Sequence, residues 1–494
     1  MTKTLFSGGE VVDGTGAPSR VADVLVTDGV IEAVDPNLSG KGSDEIDITG
    51  LTLTPGFIDT HTHDDFAVLL HPDMAFKVRG GVTSVIVGNC GMGAAPHRPA
   101  VATAQSFHPG SDLPVWAGYG GYLDLIQEQP AALNVAVLMG HGTIRSGAMG
   151  QEERPPTADE LQEMLASVEE GMAAGCLGLS TGLIYPPGVF AATDELISLA
   201  QPVADAGGVY ASHIRNEGDG LIEAVGEAIE VGRATGAPVV VSHLKASGRE
   251  NWGRVVEALE LIESAREEGL TVDADQYPYT AGSTVLSALV RQDVFGAGTG
   301  GLGRIDGGDV VIASCPSNEG SNGMTIAQLA TDSGVDAATA AERLVESDPR
   351  TTVVLHTMNE EDVRTILATP GVMVGSDGLP TLSGQPHPRL YGTFARVLGH
   401  YARDLAVLTF EDAIHKMTGR SAEVFGLSDR GLVERGKAAD LVVVDRETVI
   451  DRGTFEDPQQ YPDGIVHVMV NGTLVVRSCS QTNARPGTPL RHVS

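Results

Sequence analysis

Pro55-Gly-Phe-Ile-Asp-Thr-His-Thr-His63 is the stretch on which the reading of this chain turns. The run leading into it is apolar and β-prone, and in a strand residues i and i+2 point to the same face. His61 and His63 therefore converge at one strand end, where two imidazoles can share a divalent ion. His-x-His alone is a weak signal. It gains weight from the further ligand candidates at later strand ends.

Downstream, short apolar strands alternate with amphipathic helices, the signature of a parallel α/β fold. Eight strands are expected, centred on Phe57-Ile58, Ser84–Val87, Val135–Met139, Leu177–Leu179, Val209–Ala211, Val239–Val241, Val272–Ala274 and Val372–Val374. Helices fit between them, for example over Asp159–Ala174, Gly218–Ala234 and Trp252–Glu268, the last with Asn251 as its cap. Eight strand–helix units make a (β/α)8 barrel of the TIM type over residues 55–420, with its active site at the strand C-terminal ends. The stretch from Thr284 to about Arg350 breaks the repeat. It reads as an insertion between strands seven and eight, a lid holding a glycine-rich run (Gly296–Gly303), a strand and a helix. Those glycines do not make a phosphate loop, because neither Lys nor Ser/Thr follows at the required spacing.

The two ends of the chain read alike. Val21–Thr27 and Gly29–Val34 near the start, and Ala439–Asp445 and Ile465–Gly472 near the finish, are short β patterns separated by Gly and Asp turns. Neither set has enough strands to close a stable sheet. Residues 1–54 and 421–494 are thus expected to pair into one small β-sandwich.

Composition narrows the function. The 494 residues are 42% hydrophobic, enough for a large core, and carry a net charge of −33. Such a balance argues against nucleic-acid or anionic-membrane partners, which need positive patches, and serves solubility. Only six residues are Lys, which draws notice to Lys245. Cys90, Cys176, Cys315 and Cys479 lack framework spacing, as expected in a reducing compartment. With no apolar signal core and no membrane-length run, the expected location is the cytoplasm.

Polar residues cluster at the expected strand ends. Besides His61 and His63, strand two ends in Val87-Gly-Asn-Cys90, strand five in Tyr210-Ala-Ser-His213, strand six in Val241-Ser-His243 and strand eight in Gly375-Ser-Asp377. Zn²⁺ best accepts this mixture of N, S and O donors. A single Cys or His at such a place is usually packing. Packing residues would not all fall at strand C-termini and spare the N-termini. Cys176 and Cys315 lie elsewhere and read as structural. His141 after strand three admits either reading, His387 orders the loop after strand eight, and His356 marks the insertion boundary.

This pattern resembles the D-aminoacylase (N-acyl-D-amino-acid deacylase) family of the amidohydrolase superfamily. The resemblance is carried by Pro55–Asp65, Val87-Gly-Asn-Cys-Gly91, Gly178-Leu-Ser-Thr-Gly-Leu-Ile-Tyr185, Ser242-His-Leu-Lys245, Tyr277-Pro-Tyr279 and Gly375-Ser-Asp-Gly-Leu-Pro380. It continues through Pro388–Phe394, Lys416–Gly419 and Asn483–Gly487, and thins across about Val290–Asp309. The resemblance implies a tight zinc held by Cys90, His213 and His243, and a weaker second site formed by His61 and His63 with Asp377. It implies that Asp377 takes a proton from the attacking water and delivers it to the departing amine. Tyr185, Lys245, Tyr277 and Arg291 would hold the substrate. D-stereospecificity rests on the resemblance alone.

The chemistry agrees with this independently. Zinc lowers the pKa of bound water from about 15.7 towards about 7 and polarises a carbonyl, so an unactivated amide needs no covalent nucleophile. Ser180 and Ser376 sit in no Gly-x-Ser-x-Gly elbow. Lys245 and Arg291 offer fixed cations for a substrate carboxylate. The expected activity is zinc-dependent hydrolysis of N-acyl-D-amino acids, small-molecule substrates, with the oligomeric state left open. The alternative is a cyclic amide hydrolase of hydantoinase or dihydroorotase type, whose two metals are bridged by a carboxylated lysine at the end of strand four. Leu177-Gly-Leu-Ser-Thr181 has no lysine there. A non-catalytic scaffold on the same barrel would be expected to lose ligands, and none is missing.

Overall fold

The eight short apolar runs become eight parallel strands: β1 (Phe57–Asp59), β2 (Val82–Val87), β3 (Asn134–Gly140), β4 (Gly178–Gly182), β5 (Val209–His213), β6 (Val239–Val241), β7 (Val272–Gln276) and β8 (Val372–Val374). Each lies on a centre expected from the sequence. The computed structural model describes residues 3–38, 44–298 and 300–492. Position 299, within the glycine-rich run, lies outside them. The strands follow one another round the sheet in chain order, so the fold is the expected barrel.

Side-chain alternation sorts the strands into two layers. Ile58, Ile86, Leu138, Ala211, Val240 and Met373 point inward and share a cluster with Phe425, Leu427 and Leu490, which plug the N-terminal end. Val85, Val137, Leu179, Tyr210, Val241 and Val374 point outward against the helices. Among these helices are α1 (His97–Phe107), α2 (His141–Met149), α3 (Ala158–Ala174), α4 (Leu221–Thr235) and α5 (Val255–Glu267). Thr157 and Glu160 form a reciprocal capping box on α3. Asn251 does not cap α5 as expected. Its side chain donates to the Ser247 carbonyl, Gly253 turns the chain at φ +89°, and the helix begins only at Val255.

The β1–β8 seam is closed at the mouth rather than along the strands. Thr62 and Gly378 form a single parallel bridge, Asp377 N–H donates to the His61 carbonyl at 2.7 Å, and His63 N–H donates to Gly378 at 3.1 Å. Beneath them, fully buried Lys77 reaches Asp59 at 2.7 Å, Ser376 Oγ at 2.8 Å, Thr62 Oγ1 at 3.0 Å and Asp64 at 3.3 Å. Burial alone would push the ammonium down, but Asp59 and Asp64 outweigh it and raise its pKa.

Strands from both ends of the chain share one sheet. Thr52–Pro55 pairs antiparallel with Leu441–Val444 on one side and parallel with Glu10–Val11 on the other. A four-stranded sheet of N-terminal residues packs on this seven-stranded one through Phe6, Val24, Ile31, Leu53, Leu441 and Met469. Between β7 and β8, Gly282–Val285, Thr352–Leu355 and Val310–Ser314 form an antiparallel sheet, joined by helices Leu286–Arg291, Ile326–Ser333 and Ala337–Ser347. This is richer than the single strand and helix expected. Gly282-Ser-Thr-Val285 is short and polar, so it carries no strand pattern of its own and becomes a strand by pairing with the apolar Thr352–Leu355. Leu286, Leu289, Ile312, Leu344 and Val353 give this insertion its own core. No helix of the described residues is long and apolar enough to cross a membrane.

Candidate metal centre and active site

β1, β2, β6 and β8 deliver His61 and His63, Cys90, His243 and Asp377 just past their C-terminal ends, where the backbone turns away from the ladder, and β5 delivers His213 as its last residue. Three of these residues do so with positive φ: Cys90 at +53°, His243 at +37° and Asp377 at +49°. Non-glycine residues seldom adopt this region, and such strain gathers at functional sites. Glycine lets the segments approach one another. A Cβ on Gly182 would lie 2.0 Å from the Cys90 carbonyl oxygen, and one on Gly375 would lie 2.5 Å from His61 Cβ.

The result is two overlapping donor sets. His61, His63, Cys90 and Asp377 form one; Cys90, His213 and His243 form the other. Within each, the ligand atoms all lie within 4.8 Å of one another, and every member is buried. Cys90 Sγ stands 3.2 Å from His61 Nε2 and 3.4 Å from His243 Nε2, and His243 Nε2 stands 2.8 Å from His213 Nδ1. Asp377 Oδ1 faces His63 Nε2 at 3.2 Å. His63 Nδ1 and His213 Nε2 are buried without a hydrogen-bond partner. Burial raises the Cys90 thiol pKa, but His61, His243 and His213 outweigh it and hold it well below the usual value, as a metal-binding thiolate requires.

Further groups orient these donors. Asp275 accepts the His243 N–H at 2.8 Å and lies 3.3 Å from His61 Nδ1. His243 Nδ1 is 2.8 Å from Lys245 Nζ and 3.3 Å from Glu217, so it accepts from the lysine in one tautomer and donates to the glutamate in the other. Arg389 Nη1 pairs with Asp377 Oδ2 at 3.0 Å and stacks over the Tyr277 ring at 4.5 Å. Burial pushes the Asp377 carboxyl up, yet Arg389 and His243 outweigh it and hold it well below the usual range. It is therefore ionised at neutral pH.

A cavity of about 400 Å³ opens over this cluster, inside the range of roughly 300–1,000 Å³ usual for ligand sites. Tyr185, Lys245, Tyr277 and Arg291, the four residues expected to hold substrate, all line it. Tyr185 Oη is 2.9 Å from Thr284 Oγ1, which ties the β4 loop to the insertion. Lys245 is not a free cation: it pairs with Glu217 at 2.5 Å. Arg291 ends the helix Leu286–Arg291 at an exposed position. His141 is bound to Glu195 at 2.8 Å behind the wall.

Sequence reasoning missed Glu217, Asp275, Arg389 and Lys77. Asp275 had a visible signal, an acid inside the buried strand Val272-Asp-Ala-Asp-Gln276. Glu217 lies four residues after His213, and Arg389 lies within a motif noticed only for its family likeness.

Comparison with known proteins agrees with this picture. The model of the Amidohydrolase family matches residues 44–476. D-aminoacylase of Alcaligenes xylosoxydans xylosoxydans is 39% identical over 488 residues, covering 98% of this chain and 97% of that protein. N-acyl-D-glutamate deacylase of the same organism is 40% identical over 487 residues, covering 99% and 96%. The crystal structure of N-acyl-D-glutamate deacylase from Bordetella bronchiseptica, complexed with zinc and a phosphonate mimic of the reaction's tetrahedral intermediate, aligns with a TM-score of 0.89 at 38% identity over 99% of each chain. The chain belongs to the amidohydrolase family and, within it, to the D-aminoacylase (N-acyl-D-amino-acid deacylase) group.

Proposed function

We propose that this enzyme hydrolyses the amide bond of N-acyl-D-amino acids, releasing a carboxylate and a free D-amino acid, with zinc as its metal. One observation carries the reading. An N/S donor set and an ionised, arginine-held carboxylate face each other across a cavity that also presents Lys245 and two tyrosines. Preference for the D series follows the two relatives.

The donor atoms fit the ion. Thiolate and imidazole suit borderline-soft Zn²⁺, and His213 Nδ1 and His243 Nε2 converge at 2.8 Å beside the Cys90 thiolate, where a cation would take up their lone pairs. Cys90, His213 and His243 would hold the tight ion; His61, His63 and Asp377 would contribute to a weaker second site. When bound, zinc supplies Lewis acidity to water and to the scissile carbonyl.

The remaining steps belong to the chain. Asp377 accepts a proton from water as its oxygen bonds to the carbonyl carbon. It then delivers that proton to the amide nitrogen as the C–N bond breaks. Arg389 fixes the Asp377 carboxylate for both transfers. Lys245 and Tyr277 orient the substrate carboxylate, and Tyr185 closes the cavity towards the insertion. The cyclic-amide alternative gains nothing here, since Ser180 of β4 is spent on the Gly91 N–H at 3.0 Å and no lysine stands beside it. A working Cys90 thiolate also calls for a reducing compartment, and we take this to be the cytoplasm.

Matched N-acetyl-D- and N-acetyl-L-amino acids, assayed for amine release on a preparation whose zinc content per chain is measured, test the reading. Turnover confined to the D series is expected, with about one tight zinc per chain, as for a catalytic site of three protein ligands and an open position. Equal turnover of both series, or full activity without metal, would overturn it.

A further inference from the structure

The cavity is divided by charge. Its charged wall residues, Glu217, Lys245, Arg291 and Asp377, come from the loops after β5, β6 and β8 and from the insertion. The part of the wall built by α1, by α2 and by the loop after β4 holds none. In a closed eight-stranded ring, β2–β4 stand opposite β6–β8.

We propose that this uncharged arm is a subsite for a straight aliphatic acyl chain, so that the preferred substrates carry medium-length acyl groups rather than acetyl. The inference rests on the deacylase reading above. In a planar trans amide, the acyl substituent and the amino-acid Cα extend in opposite directions from the C–N bond. A carboxylate held near Lys245 and Tyr277 sends the acyl carbons across the metal centre towards β2–β4. An acetyl group ends there and leaves the arm unused.

The wall chemistry selects the occupant. Ala102, Phe107 and Pro187 present methyl, ring and methylene surface. The polar residues of the arm are largely engaged within the protein. Thr103 Oγ1 donates to the Pro99 carbonyl, Thr143 Oγ1 accepts from Gly93 N–H at 2.9 Å, and Ser146 Oγ accepts from Gln151 at 3.2 Å. A chain with amides or charges of its own would give up water for few new partners. Ala102 and Gln151 are exposed, so the arm reaches solvent and a chain can extend along it.

The test is a series of acetyl, butanoyl, hexanoyl and octanoyl derivatives of one D-amino acid, with N-acetylglycyl as an amide-bearing acyl group. With zinc-loaded enzyme, kcat/KM should rise about two- to fourfold per methylene through lower KM, as expected for burial of each CH₂. Ala102→Trp, a change at an exposed helix position, should collapse the hexanoyl-to-acetyl ratio towards one. Hydrolysis of the acetyl compound with flat or falling kcat/KM along the series overturns the inference and spares the deacylase reading. A preference for N-acetylglycyl over hexanoyl overturns the aliphatic assignment. Refusal of every member overturns both.

Discussion

The β1–β8 seam and the insertion between β7 and β8 border the same cavity and are built on opposite rules. At the seam, buried Lys77 bonds to Asp59 and Ser376 and pairs with Asp64, and Ser376 in turn donates to Asp59. The insertion is held by a small apolar core of its own and exposes Arg291 at its rim. His63 and Asp377, to which we assign metal binding and proton transfer, are thus anchored from beneath by a buried charge network. Arg291, which we propose faces the substrate, sits on a module that can vary without disturbing the barrel.

The largest effects should come from the barrel mouth. Cys90→Ala is expected to remove tight zinc and turnover together, measured by metal analysis and assay. Asp377→Ala should keep the tight zinc while lowering kcat by about 10²–10⁴-fold, the usual worth of a general acid–base group. A Cys90→Ala protein with full zinc and normal turnover would show that the donor set is misassigned.

Lys77→Met comes next. It strands two buried carboxylates, and breaking a buried ion pair in this way costs about 3–5 kcal/mol. The urea midpoint should fall accordingly, and adding Asp59→Asn should restore part of the loss. If Lys77→Met unfolds at the parent midpoint, the seam is not held by charge.

Lys245→Met should lower kcat/KM for N-acyl-D-amino acids by about ten- to a hundredfold, with zinc content unchanged. The matching uncharged amides should be far less affected. Equal losses on acid and amide would mean that Lys245 serves Glu217 and His243 rather than the substrate.

Arg291→Ala marks the insertion's side of the contrast. An exposed charge contributes little, so N-acyl-D-amino acids should lose about fivefold or less relative to their uncharged amides, with no change in thermal midpoint. A larger loss on all substrates would give the insertion a part in the chemistry itself.

What the sequence made legible follows the same division. The eight strands stood out because β-branched runs such as Val82-Thr-Ser-Val-Ile-Val87 are bounded by glycines and have no other plausible state in the barrel repeat. The donor residues stood out because they gather at one end of those runs. Their supports did not: Lys77 meets Ser376 across 299 positions, and no local pattern announces such a pair. The left-handed turns at Cys90, His243 and Asp377 are equally silent, since none is a glycine. Asn251 misled because a good capping residue was overruled by the turn at Gly253.

The sheet shared by the two chain ends sets a clock on biosynthesis. Pro55 and its partner Leu441 are 386 positions apart. At about 5–20 residues per second, roughly 20–80 s pass between their emergence from the ribosome. Throughout that interval the strand leading into the first metal-binding loop waits without one of its neighbours. Nascent chains halted before position 441 should therefore be the form most in need of chaperones, however complete their barrel.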